Sequence, residues 1–120
     1  MHAKILILIY ANESAYLLTE KTWKALTDIN ALIDEGNAAD AVPKLQSLLP
    51  DVQSNAYDLA VTQQTLGYAH NRLQNYNEAI TAFSAALNTN ALPFDVSHQV
   101  RFSLAQLLIY TEQYVPGLKQ

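Results

Sequence analysis

Between Ala60 and Ala86 the chain places small residues where two helices would have to touch, and this spacing limits its fold more than any other feature. Leu66-Gly67-Tyr68-Ala69 is followed by Tyr76, Ala79, Phe83 and Ala86. Gly67 and Ala69 remove side-chain bulk from one helix. Ala79 and Ala86, one heptad apart, remove it from a second helix facing the first. Tyr76 and Phe83 share that heptad spacing and fill the space beside these contacts. Asn75 followed by Glu78 reads as a capping box that opens the second helix. The expectation is a pair of short antiparallel helices in close approach.

The pattern recurs. A shift of 38 residues forward, from Ala60 to His98, puts Leu104-Ala105 at the Leu-Gly place, Leu107 at the small position, Tyr114 at the aromatic and Gly117 where Ala79 stood. The same shift backward, to Thr22, makes Gly36-Asn37 the turn between helices, with Ala41, Val42 and Leu45 replacing Ala79, Ile80 and Phe83. Chains with such self-similarity bury their cores by stacking successive units. Connections near Pro50–Asn55 and Thr89–Phe94 separate the units.

Pro43 conflicts with a helix starting at Asn37, because an interior proline costs about 3 kcal/mol. The expectation is a late start capped by Asp40, or a kink at Pro43. In the last unit a second helix would begin near Tyr114, with Pro116 in its first turn after Gln113. That unit reads as unfinished, leaving Leu104, Leu107, Leu108 and Leu118 partly open. The chain is therefore expected to be an N-terminal fragment of a longer protein, with closure by dimerisation as the other reading.

At Leu66, Gly67, Ala69, Tyr76, Ala79, Phe83 and Ala86 the sequence resembles the tetratricopeptide repeat, whose period is about 34 residues. Gln63 departs from that pattern at a place where the family has an aromatic, and Ala91 at a place where it has proline. The resemblance implies an all-α fold: a right-handed superhelical stack of antiparallel helix pairs, about three repeats. It divides the chain into an N-terminal segment, 1–18, and a repeat domain, 19–120. The order TEKTWKALTDINALIDEGNAADAVPKLQSLLPDV, then AYDLAVTQQTLGYAHNRLQNYNEAITAFSAALNTNALP, then QVRFSLAQL is similar to small tetratricopeptide proteins encoded with TonB energy-transduction systems of Gram-negative bacteria. That similarity implies a periplasmic adaptor assisting TonB-dependent uptake; a cytoplasmic location stays open.

In the resembled family the first helix of each pair lines a concave groove. Carried over, the groove positions are Trp23, Leu26, Asn30, Ile33 and Asp34 in the first repeat. They are Val61, Gln64, Tyr68, Asn71 and Arg72 in the second, and Gln99, Phe102, Gln106, Ile109 and Tyr110 in the third. Trp23, Asn30, Gln64, Tyr68, Asn71, Arg72, Gln99, Phe102 and Gln106 form the expected site for a peptide or partner protein. Aromatics and amides can bury partner side chains and hold an extended backbone, and Arg72 could fork onto a carboxylate. Packing between repeats is the alternative role for Trp23, Phe102 and Ile109. The family's carboxylate clamp is not supported, because Leu26 stands in place of its cation.

Other function classes find little footing. Seven Lys plus Arg are spread thinly in a chain of net charge −4, whereas phosphate binders cluster their cations; nucleic acid is not an expected partner. Without cysteine there is no disulfide, zinc ribbon or thiol chemistry. His2, His70 and His98 share no ligand spacing, and His70 reads as a packing residue. The neighbouring Asp34 and Glu35 point to different helix faces, a poor geometry for acid–base work. Glu13, Glu20, Asp28 and Asp58 read as solvated. No catalytic residue, metal or cofactor is expected.

Charged residues make up only 15% of the chain, against roughly 25% in an average soluble domain. Such a surface suits a member of an assembly and equally a plain monomer. The apolar run Ile5–Tyr10 is too short for a signal-peptide core or a membrane span. It reads as a strand or helical turn packing on the first repeat; a damaged or wrongly started export signal is the other reading. No direct membrane insertion is expected. The functional expectation is a protein-interaction adaptor. Its alternative is an oligomerisation module forming a homodimer through the exposed apolar face of the C-terminal repeat.

Overall fold

The structure, a computed structural model, describes residues 16–114. The readings made for the N-terminal apolar run and for Pro116, Gly117 and Leu118 fall outside these residues. Five α-helices pack against one another, with no strand among the described residues. They are α1 (Glu20–Asp34), α2 (Ala38–Leu48), α3 (Ala56–Arg72), α4 (Tyr76–Asn88) and α5 (Phe94–Tyr114); a 3-10 turn, Leu49–Val52, follows α2.

Local chemistry explains most of the boundaries. Thr19 caps α1, its hydroxyl accepting from the Thr22 amide at 3.4 Å. Asn55 caps α3 by accepting from the Asp58 amide at 3.0 Å. These side chains satisfy amides that the first helical turn leaves without partners. Helix α1 ends where Gly36 adopts φ +88°, with Asn37 N–H donating to the Leu32 carbonyl and Gly36 N–H to that of Ile33. This is the closing turn that favours glycine. Helix α3 ends the same way at Gln74, φ +62°, with Asn75 N–H on the His70 carbonyl and Gln74 N–H on that of Asn71.

Three expectations need correction. Of the two readings for Pro43, the late start is overturned: helix α2 begins at Ala38, with Asn37 rather than Asp40 before it, and contains Pro43. Pro43 is exposed, and so is Ala39, whose carbonyl would have accepted the missing N–H; that carbonyl can turn to water. Asn75 makes no side-chain cap on α4; its amide instead meets His70 Nδ1 at 3.3 Å. No turn separates helices before Tyr114, since α5 stays helical through that residue.

The core has two parts joined along the chain. Leu26, Ile29 and Ile33 of α1 pack with Ala41, Leu45 and Leu48 of α2, Val52, Leu66 and Ala69 of α3, and Ala82 of α4. Ala60 of α3 packs with Ala79, Phe83 and Ala86 of α4 and with Leu92, Val100 and Leu107 of the last segment. Each helix thus covers its predecessor's apolar stripe and exposes its own to the next. Leu107 is buried, contrary to the expected opening; Leu104 is half-buried against the second cluster and Leu108 is 47% exposed, both partly open as anticipated. At the α3–α4 crossing, a Cβ on Gly67 would lie 2.5 Å from Phe83 Cδ1 and Cε1. The helices come as close as the glycine permits.

Helices α1 and α3 are also tied directly, at both ends. The Asp58 carboxylate accepts from the Thr19 amide at 3.1 Å, the Thr19 hydroxyl at 2.6 Å and the Thr22 hydroxyl at 2.9 Å. Arg72 Nη1 donates to the Ile33 carbonyl at 3.2 Å. Beginning meets beginning and end meets end, so the two helices lie side by side and run in the same direction.

Candidate protein-binding surface

The residues singled out in the sequence divide by burial. Leu26 and Ile33, groove positions left out of the expected site, are core residues, 3% and 5% exposed. Their side chains bind α1 to α2, so only the remaining stripe of α1 is open. Trp23 and Asn30 lie on it, one heptad apart and both exposed. Trp23 is 55% exposed. Asp34 is exposed at the end of the helix.

On α3 the stripe runs through Val61, Gln64, Tyr68 and Asn71. Val61 and Gln64 are half-buried, and Tyr68 and Asn71 are exposed. The Tyr68 ring stands edge-on to Phe83, with centroids 5.9 Å apart and planes at 87°, an arrangement aromatic quadrupoles favour. One edge of Tyr68 is thereby fixed while its 48% exposed remainder faces outward. A pre-positioned aromatic loses little freedom when it meets a partner. Arg72 is exposed, but Nη1 is committed to the Ile33 carbonyl. Its guanidinium is partly a structural tie, and a two-pronged grip on a carboxylate would compete with that tie.

On α5, Gln99, Phe102 and Gln106 share one face and are all exposed, Phe102 at 63%. Ile109 continues the stripe at 57% exposure. Tyr110 belongs to its edge and packs edge-on against Tyr76, with centroids 4.8 Å apart. Three helices thus each present an aromatic accompanied by amides: Trp23 with Asn30, Tyr68 with Gln64 and Asn71, and Phe102 with Gln99 and Gln106.

Two features were missed in the sequence. Asp58, read as solvated, is 2% exposed and accepts all three bonds from Thr19 and Thr22 described above. A cleft of about 440 Å³ also opens between the end of α2 and helices α3 and α4, with Leu49 and Leu66 on its apolar side and Gln63, His70, Glu78 and Thr81 on its polar side. Its sequence signal was Gln63, the one departure from the repeat pattern on this face. Burial of His70 pushes its imidazole below the usual 6.5, and the Glu78 carboxylate offsets part of that shift. The neutral ring can accept the Asn75 amide at Nδ1.

Among the described residues no group of three or more His, Asp or Glu is placed to hold a metal ion, and no helix is long and apolar enough to cross a membrane. No family model, curated protein or solved structure matches the chain.

Proposed function

We propose that the chain is a protein-interaction adaptor of tetratricopeptide type, which binds an extended peptide or partner segment across α1, α3 and α5. The observation that carries this reading is the parallel, doubly tied pairing of α1 with α3 one sequence period apart. That pairing sets the stripe of Trp23 and Asn30 beside the stripe of Gln64, Tyr68 and Asn71. The spacing of Gln99, Phe102 and Gln106 repeats the arrangement once more on α5. Aromatic anchors amid uncharged amides suit a partner backbone in extended form with apolar side chains at intervals.

The finer form of the proposal rests on the resemblance alone. In it the chain is a periplasmic accessory of a TonB-dependent transport system, and its partner is a component of that system.

The test is capture from a source-cell extract by the wild-type chain beside a Trp23→Ala/Tyr68→Ala variant, followed by direct titration of the captured protein. Both substituted side chains are exposed, so the helical signal should survive. Arg72→Glu is a poor probe, because it would break the tie to Ile33. A partner held by wild type at least about tenfold more tightly than by the variant supports the adaptor reading; equal retention by both overturns it. A captured TonB-system component supports the finer form, and capture of unrelated proteins alone removes it.

A further inference from the structure

Helix α5 has three faces, and the third is unused by either the core or the proposed groove. Val96, Val100, Leu104, Leu107 and Thr111 turn to the protein, and Gln99, Phe102 and Gln106 belong to the groove stripe. The third stripe is Arg101, Ala105, Leu108 and Glu112, spaced four, three and four residues apart and exposed throughout. Among the described residues Arg101 bonds only to Ser97, at 3.5 Å, and neither Arg101 nor Glu112 joins an ion pair. Ile109 borders the stripe.

This stripe is complementary to its own reverse. The midpoint between Arg101 and Glu112 coincides with the midpoint between Ala105 and Leu108, at the level of Gln106 and Leu107. A two-fold axis there, relating two antiparallel copies of α5, sets Arg101 opposite Glu112 of the other copy and Ala105 opposite Leu108, and the converse at the other half. Opposite charges face each other at both ends, about 16 Å apart along the helix at 1.5 Å per residue, while small faces large between them. A surface shaped for an unrelated partner has no reason to satisfy this symmetry, whereas an isologous dimer requires it.

We infer that α5 is a homodimer seam: two copies of the chain pair antiparallel through Arg101, Ala105, Leu108 and Glu112. The apolar contact supplies the attraction, with Ala105 and Leu108 leaving water. The charges set the register and exclude the parallel arrangement, which would place Arg101 against Arg101 and Glu112 against Glu112. The seam is short, so association is modest and concentration-dependent. It leaves Phe102 and the proposed groove on another face, and it stands or falls independently of the adaptor reading.

The experiment is sedimentation equilibrium of the 120-residue chain up to about 500 µM, a concentration that reveals even weak dimers. A monomer–dimer equilibrium is expected. Arg101→Glu alone and Glu112→Arg alone should each weaken it by about tenfold or more, since each reversal places like charges together twice per dimer. The double variant Arg101→Glu/Glu112→Arg restores opposite charges in the same register and should recover dimerisation to near wild type. All four positions are exposed, and helicity measured by circular dichroism checks each variant. A chain that stays monomeric overturns the inference. So does a dimer indifferent to the single reversals, or one that the double reversal fails to restore.

Discussion

The Thr19 hydroxyl donates to the Asp58 carboxylate at 2.6 Å across 39 residues of sequence. At the opposite end of the same two helices, Arg72 reaches the Ile33 carbonyl across the same interval. Side chains at both ends therefore record one displacement, close to the 38-residue period found in the sequence. Apolar burial through α2 would hold α1 and α3 near each other in many relative settings, because burial is non-directional. The two polar ties select one of them, and with it the lateral offset between the stripes of Trp23 and Tyr68.

The Asp58 tie should be the more consequential. Asp58→Ala leaves the Thr19 amide, the Thr19 hydroxyl and the Thr22 hydroxyl without their shared acceptor, in a place that is partly buried at Thr19 and buried at Thr22. Hydrogen bonds to a charged group are worth about 1.5–3 kcal/mol each when broken singly, and these act as one unit, so a loss of about 2–3 kcal/mol is expected. For a domain of this size that lowers the melting temperature by roughly 10 °C or more. Thr19→Ala in the Asp58→Ala background should add much less than it does alone. Additive losses in that thermal-melt cycle would show that the bonds do not form a unit.

Gly67→Ala tests the closeness of α3 and α4. In an open helix the change would stabilise by about 1 kcal/mol. Here the new methyl would overlap the ring of Phe83, a residue only 1% exposed and held on all sides. Overpacking outweighs propensity, and a net loss of about 1–3 kcal/mol is expected in urea unfolding. Combining it with Phe83→Leu removes the obstructing ring, and Gly67→Ala should then become neutral or stabilising. A loss that persists without the ring would place the constraint elsewhere.

His70 makes stability depend on pH. Its imidazole is held below 6.5 in the folded chain, so the unfolded chain binds the proton more readily. Stability from this source is complete above 6.5 and falls as the pH drops from 6.5 through the lower, folded-state value. Urea melts taken between about pH 7.5 and about pH 5 should show this decline. His70→Gln should remove that part of the slope. Identical slopes in the two chains would mean that the folded protein does not disfavour protonated His70.

The helix pair α3–α4 was legible because its signal is steric and local: glycine and alanines at fixed intervals, with Phe83 to fill what they leave. The all-helical class and the turn at Gly36 were legible for the same reason. The roles of Asp58 and Arg72 were not, since nothing near either residue announces Thr19 or Ile33, more than a full period away. Asn75 and Glu78 have the spacing of a cap, but spacing cannot foresee that Asn75 turns to His70 instead. Pro43 misled because its cost is local, whereas α2 is held by the burial of Ala41, Leu45 and Leu48 on both sides of it. Of the candidate binding residues, the sequence could place each on a helix stripe. Burial was needed to show that Leu26 and Ile33, on groove positions of the same helix, belong to the core.

Gln74 marks a place where the chain keeps a strained residue. It stands 38 residues after Gly36, in the same closing turn with the same pair of backbone bonds, yet only the first copy has glycine. A left-handed conformation costs a residue with a Cβ about 1–2 kcal/mol, and glycine returns part of that advantage through its greater freedom when unfolded. Gln74→Gly should therefore raise stability by about 0.5–1 kcal/mol. The reciprocal change, Gly36→Ala, should lower it by about 1 kcal/mol. A Cβ on Gly36 would meet nothing within 4 Å, so the loss can come only from the backbone. Chemical denaturation of both variants decides the matter. If Gln74→Gly stabilises and Gly36→Ala destabilises, one turn geometry governs both ends. If Gly36→Ala is neutral, the positive φ carries no cost there, and the expected gain at Gln74 loses its basis.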